Sequence, residues 1–286
     1  MPSRRGKEKG AAAPGTLYVV GTPIGNLEDI TFRAVRVLGE ADLVAAEDTR
    51  RTGRLLARYG IATALTSYHE HNERGKAALI LEKLAAGRSV ALVTDAGTPG
   101  VSDPGYRLVR LAAARGVRVE AVPGPSAVTA LLSVAGLGTE RFTFLGFVPT
   151  AAGRRREMWL EMKARPSTYV IFESPRRLGK TLAEMAAELG DVEAVVGREM
   201  TKLHEEVVRG RLTELAGKLA GGGTRGEVTI AVRTEPAAAS ADDVEAELAR
   251  LLDSGLALRE AARAAAASFD ISRSEAYALA LRLKRR

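Results

Sequence analysis

The sequence contains no cysteine among its 286 residues. That absence excludes disulfides, thiol nucleophiles and thiolate metal ligands in one step, and it suits a reducing cytosol. Long apolar runs are lacking as well. None approaches the roughly eighteen residues of a membrane span, and the basic start leads into AAAPGT rather than an apolar signal core. The chain therefore reads as cytoplasmic, with no membrane among its partners. Excess charge is missing from the body: the net +7 is carried by residues 1–10 (Arg4, Arg5, Lys7 and Lys9 against Glu8) and by residues 282–286 (Arg282, Lys284, Arg285 and Arg286). A polyanionic partner would be held by those ends and by local clusters such as Arg154, Arg155 and Arg156; the alternative is that basic tails serve solubility. What remains, 46% apolar and 27% charged, is ordinary for a globular chain long enough for two domains.

The chain is organised around Val90–Gly105, VALVTDAGTPGVSDPG. Four consecutive apolar residues are the mark of a strand covered on both faces, as in a parallel sheet. The run then empties into a loop with three glycines and two prolines in nine residues. Gly97 and Gly100 have no side chain to hold a ligand off the backbone, and Pro99 and Pro104 fix φ. LYVV ending in GTPIGN and VEAV ending in PGPSAV repeat the arrangement. In an open parallel sheet, three such loops at the carboxyl edge make one binding surface.

Strand and helix patterns alternate from Thr16 onward: strands at 17–21, 42–47, 64–69 and 117–122, and helices at 30–39, 49–59, 75–86 and 104–115, with a further helix opening at Ser126. A second set follows: RFTFLGF, an Arg-rich helix over 152–164, STYVIFES, a helix over 175–189, strands at 194–200 and 205–210, and EVTIAV. The fold class is α/β, with two α/β domains and a small helical domain, helix-turn-helix-like, at the end. The expected divisions are a disordered basic leader over 1–15, domains over 16–123 and 124–235, and helices over 242–286 that either bind RNA or serve dimerisation. Ser272 with Glu275 makes a capping box there. GGGTRG at 221–226 precedes a strand rather than following one, and Gly179-Lys180-Thr181 lacks the glycine a phosphate loop needs at position 174, so neither motif supports nucleotide binding.

Seven motifs in order, GTPIGNLEDIT, AAEDTRRTG, SYHEHNE, TDAGTPGVSDPG, VPGPSA, FESPRR and GREMTKLHEE, closely resemble the bacterial family of small-subunit ribosomal RNA (16S) cytidine 2'-O-ribose methyltransferases, a branch of the tetrapyrrole methylase superfamily. The resemblance runs from Thr16 almost to the C-terminus. It implies two α/β domains with S-adenosylmethionine between them, a homodimer, and 16S ribosomal RNA or the small subunit as substrate. It implies cofactor contacts at Gly21, Thr22 and Pro23, at Asp95, Ala96, Gly97, Thr98, Pro99, Gly100 and Val101, at Ser126 and Ala127, and at Phe172 and Glu173. Asp95 is the candidate for the cofactor's ammonium, or else a cap for its own loop.

An alcohol is a poor nucleophile, so help with the proton is useful. His71, beside Asn72 and Glu73, is the candidate base, and Glu73 its companion. Were Tyr68–Asn72 extended, His69 and His71 would share a face; no metal is expected there. Arg50, Lys202, Arg154, Arg155, Arg156, Arg273 and Lys284 are the candidate RNA contacts, with an ion pair to Asp48 as the alternative for Arg50. Two other functions stay open: a small-molecule (tetrapyrrole) methyltransferase of the same fold, and a non-catalytic RNA-binding assembly factor.

Overall fold

The computed structural model describes residues 14–221, 226–235, 241–269 and 271–284. Most of the expected leader, part of GGGTRG and most of the PAAASA linker lie outside the described residues. Among the described residues, no helix is long and apolar enough to cross a membrane.

The first half alternates as the patterning predicts: β1 (Thr16–Val20), α1 (Phe32–Glu40), β2 (Leu43–Ala46), α2 (Thr49–Arg58), β3 (Leu65–Ser67), α3 (Glu73–Ala85), β4 (Val90–Val93), α4 (Tyr106–Ala114), β5 (Arg118–Val122) and α5 (Ala127–Ala135). The strands form one sheet in the order β3-β2-β4-β1-β5, with every neighbouring pair parallel. β4 lies at the centre and all four of its residues are buried. Its side chains alternate between two cores, as strand geometry requires. Val90 and Leu92 pack with Ile80, Leu81 and Leu84 of α3 and Leu108 of α4. Ala91 and Val93 pack with Ala34, Val37 and Leu38 of α1 and Leu56 of α2.

Those two cores show where the connections go. The helix after β4 lies on one face, whereas the helices after its neighbours β1 and β2 lie on the other. Chains leaving adjacent strands in opposite directions open a crevice at the carboxyl ends, which is where ligands bind in open α/β sheets.

The second half contains β6 (Phe142–Phe147), α6 (Ala152–Ala164), β7 (Thr168–Glu173), α7 (Leu178–Leu189), β8 (Glu193–Arg198), β9 (Glu206–Arg211), α8 (Leu212–Leu219) and β10 (Val228–Arg233). Its sheet runs β6-β7-β10-β8-β9. Three helices end the chain: α9 (Ala241–Asp253), α10 (Leu258–Phe269) and α11 (Arg273–Leu283). They enclose an alanine-rich core of their own around Leu248, Ala261, Ala265 and Ala276. Glu275 N–H donates to Ser272 Oγ at 3.1 Å, so the expected cap closes α11.

The compact units do not divide at the expected 123/124 boundary, in the stiff Pro123-Gly124-Pro125 loop after β5. One consists of Met1–Gly136, Val196–Val207 and Gly226–Thr229, and the other of Leu137–Val195, Val208–Arg225 and Ile230–Arg286. α5 thus stays with the first unit, whose Leu131 side chain meets Gly197 of the first excursion. A stiff connector marks a turn in the chain, and the core beneath it decides the boundary.

Gly21 and Gly124 hold the ends of β1 and β5 together. Gly21 N–H donates to Val122 O at 2.9 Å. A Cβ on Gly21 would lie 2.8 Å from Gly124 Cα, and one on Gly124 would lie 2.8 Å from Gly21 O. Because both obstacles are backbone, neither can step aside. Gly124→Ala is expected to lower stability by about 1–3 kcal/mol in urea denaturation. Gly39→Ala, at a helical position with nothing within 4 Å, should be neutral or stabilising by up to about 1 kcal/mol.

Candidate functional site

At the carboxyl edge of the first sheet, the loops after β1 and β4 are sewn together. Thr22 N–H donates to Gly97 O at 2.9 Å and Gly97 N–H to Thr22 O at 3.1 Å, an antiparallel bridge between parallel strands. The buried Thr22 hydroxyl donates to Thr94 O at 3.1 Å. Gly97 and Gly100 have φ of 80° and 83°, values that side-chain-bearing residues rarely adopt. The glycines therefore shape the loop as well as baring it. The amides of Thr22 and Gly97 are spent on each other.

A cavity of about 390 Å³ opens beside this bridge. It is lined by Thr22, Pro23, Ile24, Gly25 and Leu27 after β1, by Arg51, Thr52, Arg54 and Leu55 of α2, and by Thr94, Asp95 and Ala96 after β4. Lys202 and Glu227 complete it, both from the excursions that return to the first unit. Glu199 and Thr201 adopt left-handed backbone, φ 49° and 65°, each costing about 1–2 kcal/mol. Asn26 N–H secures the turn by donating to Thr201 Oγ1 at 3.0 Å.

Carboxylates crowd the same strand ends. Glu47, absent from the sequence expectations, accepts from the Thr94 hydroxyl at 2.6 Å and from Asp95 N–H at 3.2 Å. Asp95 Oδ1 accepts from Asp48 N–H at 3.0 Å, and Arg51 pairs with its other oxygen at 3.3 Å. Asp95 does cap a backbone amide, but that of the neighbouring strand's loop rather than its own. Burial and the Glu47 charge push the Asp95 carboxyl up, against the pull of the Asp48 amide and Arg51. Asp103 was also missed. Burial, then the charge of Glu47, raises it to about 6. Only the pairing of β2 with β4 brings Glu47 to Thr94, so sequence spacing carried no signal for either residue.

The SYHEHNE stretch is a turn, not a strand extension. Tyr68 is wholly buried and its N–H donates to Ala46 O at 2.7 Å. Asn72 Oδ1 accepts from His69 N–H at 2.9 Å, while Asn72 and Glu73 N–H both donate back to His69 O. The two histidines therefore do not share a strand face; their rings meet edge to face with centroids 6.0 Å apart. A short polar side chain that can bond its own backbone wins over extension here. Exposed His71 lines a depression of about 1000 Å³ with Glu70, Glu73, Arg74 and Arg107, and Glu73 is held by Arg107 at 2.9 Å. Asp103 lines the adjoining depression with Glu70 and Glu73, placing it between the SYHEHNE turn and the Asp95 loop.

The remaining expected residues divide. Ser126 is the N-cap of α5 but its side chain makes no capping bond, and Ala127 follows as the first helical residue. Ala96 and Thr98 are half-buried, Pro23 and Pro99 buried, and Val101 exposed. In the second unit, Phe172 stacks edge to face on Phe144 and Phe147 at 4.9 and 5.3 Å. Glu173, 2% exposed, accepts from Thr181 Oγ1 at 2.6 Å and pairs with Arg177.

Of the arginine cluster, Arg154 and Arg156 are exposed. Arg155 instead turns onto Glu184 at 2.8 Å and onto Thr150 O at 2.6 Å. Its half-buried guanidinium ties the start of α6 to Glu184 of α7 and to the chain just before α6. Arg50 forks onto Asp48, and Lys202 bridges Glu199 and Glu227 at 2.9 and 3.1 Å. Burial alone would lower Lys202; these two carboxylates outweigh it and raise it. Arg273 and Lys284 are exposed on α11 and at its end.

A switch-point crevice lined by bare loops defines a class as well as a site. The sequence profile of the Tetrapyrrole (Corrin/Porphyrin) Methylases matches residues 16–216. Among solved structures, the chain is similar to uroporphyrin-III-C-methyltransferase from Thermus thermophilus, 26% identical with a TM-score of 0.54, over 77% of this chain and 94% of that one. It shares its fold with diphthine synthase, 21% identical with a TM-score of 0.62, over 77% and 90% of the two chains. Sequence relatives are nearer. Ribosomal RNA small subunit methyltransferase I of Mesorhizobium japonicum is 46% identical over 93% of this chain and 90% of its own length. The protein of that name from Escherichia coli O157:H7 is 42% identical over 93% and 95%. The chain belongs to the ribosomal RNA small subunit methyltransferase I family of the tetrapyrrole methylases.

Asp103 makes the site sensitive to pH. Its folded value, about 6, lies above the ordinary 3.8, so the folded state holds this proton more tightly than the unfolded chain does. Its contribution is therefore most favourable below pH 3.8 and is lost as pH rises through 6. Asp103→Asn should remove that loss, stabilising the protein at pH 7.5 by about 1 kcal/mol or more and leaving stability at pH 4 nearly unchanged. Thermal melts at the two pH values check this.

Proposed function

We propose that this protein transfers the methyl group of S-adenosylmethionine to the 2'-oxygen of a cytidine ribose in 16S ribosomal RNA, acting as a homodimer on RNA of the small subunit. The observation that carries this reading is end-to-end similarity to proteins named for small-subunit ribosomal RNA methylation, spanning 93% of the chain.

The crevice suits the donor chemically. Its volume of about 390 Å³ falls in the range of small-molecule sites. Ile24, Leu27 and Leu55 offer apolar wall for a purine, and Asp95 a carboxylate for an ammonium. No triphosphate-cradling lysine stands in the three loops, and none is needed. In this reading Gly21–Pro23, Asp95–Val101, Ser126 and Ala127 hold the cofactor. Ser126 has an uncommitted hydroxyl for the purpose. S-adenosylmethionine supplies a methyl already activated on sulfur. The protein's own task is then to position the ribose and to receive a proton.

His71 is the assigned proton acceptor, exposed at the rim of its depression. Glu73, fixed by Arg107 at 2.9 Å, orients the group that His71 meets. Arg50, Arg154, Arg156, Lys202, Arg273 and Lys284 make up the wider RNA-facing set.

Incubation with labelled S-adenosylmethionine and, separately, small ribosomal subunits or a free tetrapyrrole macrocycle tests the substrate class. Label should enter RNA alone; label in the macrocycle would overturn the reading. His71→Ala should lower the single-turnover rate by about a hundredfold at saturating cofactor and RNA. Full recovery of the rate at high RNA concentration would make His71 a binding residue instead.

A further inference from the structure

We propose that helix α2 guides the RNA strand away from the crevice along a stripe of arginines, with Arg51, Arg54 and Arg58 gripping phosphates and Arg50 at its edge. This rests on the reading above that the substrate is RNA.

The sequence of α2, TRRTGRLLAR, holds four arginines and no carboxylate in ten residues. At about 100° per residue, Arg50, Arg51, Arg54 and Arg58 fall within a stripe about 100° wide and about 12 Å long. All four are exposed, opposite the buried Thr52, Leu55 and Leu56.

Two other helices neutralise an exposed arginine with a carboxylate of their own. Arg36 pairs with Glu40 at 2.9 Å, and Arg250 with Glu247 at 2.7 Å. On α2, Asp48 and Asp95 take up only the first two, at 2.8 and 3.3 Å. Arg54 and Arg58 have no ion-pair partner among the described residues. Arg58 lies over the Tyr59 ring, 5.9 Å from its centroid.

Helix stability favours Arg58 in the last turn but does not account for Arg50 and Arg51. Cations in a first turn oppose the helix dipole by about 0.3–1 kcal/mol each, yet Arg50 and Arg51 stand there, with no acid in that turn. Location supplies a reason. Arg51 and Arg54 line the crevice beside Thr22, Pro23 and Asp95, so the stripe begins at its mouth and Arg58 carries it one turn onward.

Charge complementarity selects the occupant. Guanidinium forks match phosphate oxygens. A stripe of about 12 Å is long enough to meet more than one phosphate of a strand lying along it. The partner is the sugar–phosphate backbone of a single RNA strand flanking the nucleotide in the crevice.

The test measures binding of the full-length protein to a fluorescent single-stranded RNA, and to purified small subunits, across a salt series. Arg54→Ala/Arg58→Ala should weaken binding about tenfold near 0.1 M salt and flatten the log–log salt slope by about 1.4, from roughly 0.7 per lost phosphate contact. Arg54→Lys/Arg58→Lys should keep the slope. Unchanged thermal midpoints show that both variants fold, as expected for exposed side chains. Equal affinity and slope for wild type and the alanine variant would overturn the stripe while leaving the RNA reading intact. A loss of affinity with no change in slope would overturn it too. A wild-type protein that binds neither RNA nor subunits would bring down both readings together.

Discussion

Two hydrogen bonds between Thr22 and Gly97 hold the site in shape. Parallel strands diverge beyond their last ladder bond, and the loops after β1 and β4 lead to opposite faces of the sheet. Without a tie, the crevice they bound would have no fixed width. The bridge supplies it, and glycine at position 97 makes the bridge possible, because φ of 80° turns the Gly97 carbonyl and amide back onto Thr22. Rigidity here is preorganisation: a ligand meeting this edge finds loops already ordered and need not supply the ordering entropy itself.

The tie also concentrates charge. Glu47, Asp48, Asp95 and Asp103 gather at the ends of β2 and β4, where bulk water is partly excluded and like charges repel. Backbone amides and hydroxyls absorb much of the strain: Glu47 takes the Thr94 hydroxyl and Asp95 amide, and Asp95 takes the Asp48 amide. Charged hydrogen bonds of this kind are stronger than neutral ones. Burial and the charge of Glu47 outweigh the hydrogen bond from Thr94 at Asp103 and drive its carboxyl up to about 6. Around this acidic centre stands a basic rim of Arg51, Arg54 and Lys202. Negative charge inside and positive charge outside suit a site that receives a cationic donor and a polyanionic acceptor.

Much of this was legible without coordinates. The alternation of elements, the buried run of β4, the three bare loops and the cap at Ser272 all follow from local rules: apolar periodicity, glycine and proline chemistry, and capping preference. Ends shifted by one to three residues, as frayed termini do. The errors share one cause. A shared face for His69 and His71 was conditional on an extended Tyr68–Asn72, and Asn72 instead accepts from His69 N–H and closes a turn. The PGP connector suggested a boundary that α5 ignores. Arg155 looked like its two neighbours and proved to be bound to Glu184. Each outcome was set by a partner distant along the chain or by a bond that composition does not register.

The sequence by itself determined the α/β class, the family and the bare loops at the sheet edge, because these depend on residue type and order along one strand, one turn or one motif. Only the tertiary structure decided which of those residues are free to act. Strand order placed Glu47 against Thr94, left-handed backbone at Glu199 and Thr201 swung Lys202 to the crevice, and the packing of α2 left Arg54 and Arg58 without carboxylate partners among the described residues. Availability is a property of neighbours in space, and neighbours in space are what folding chooses.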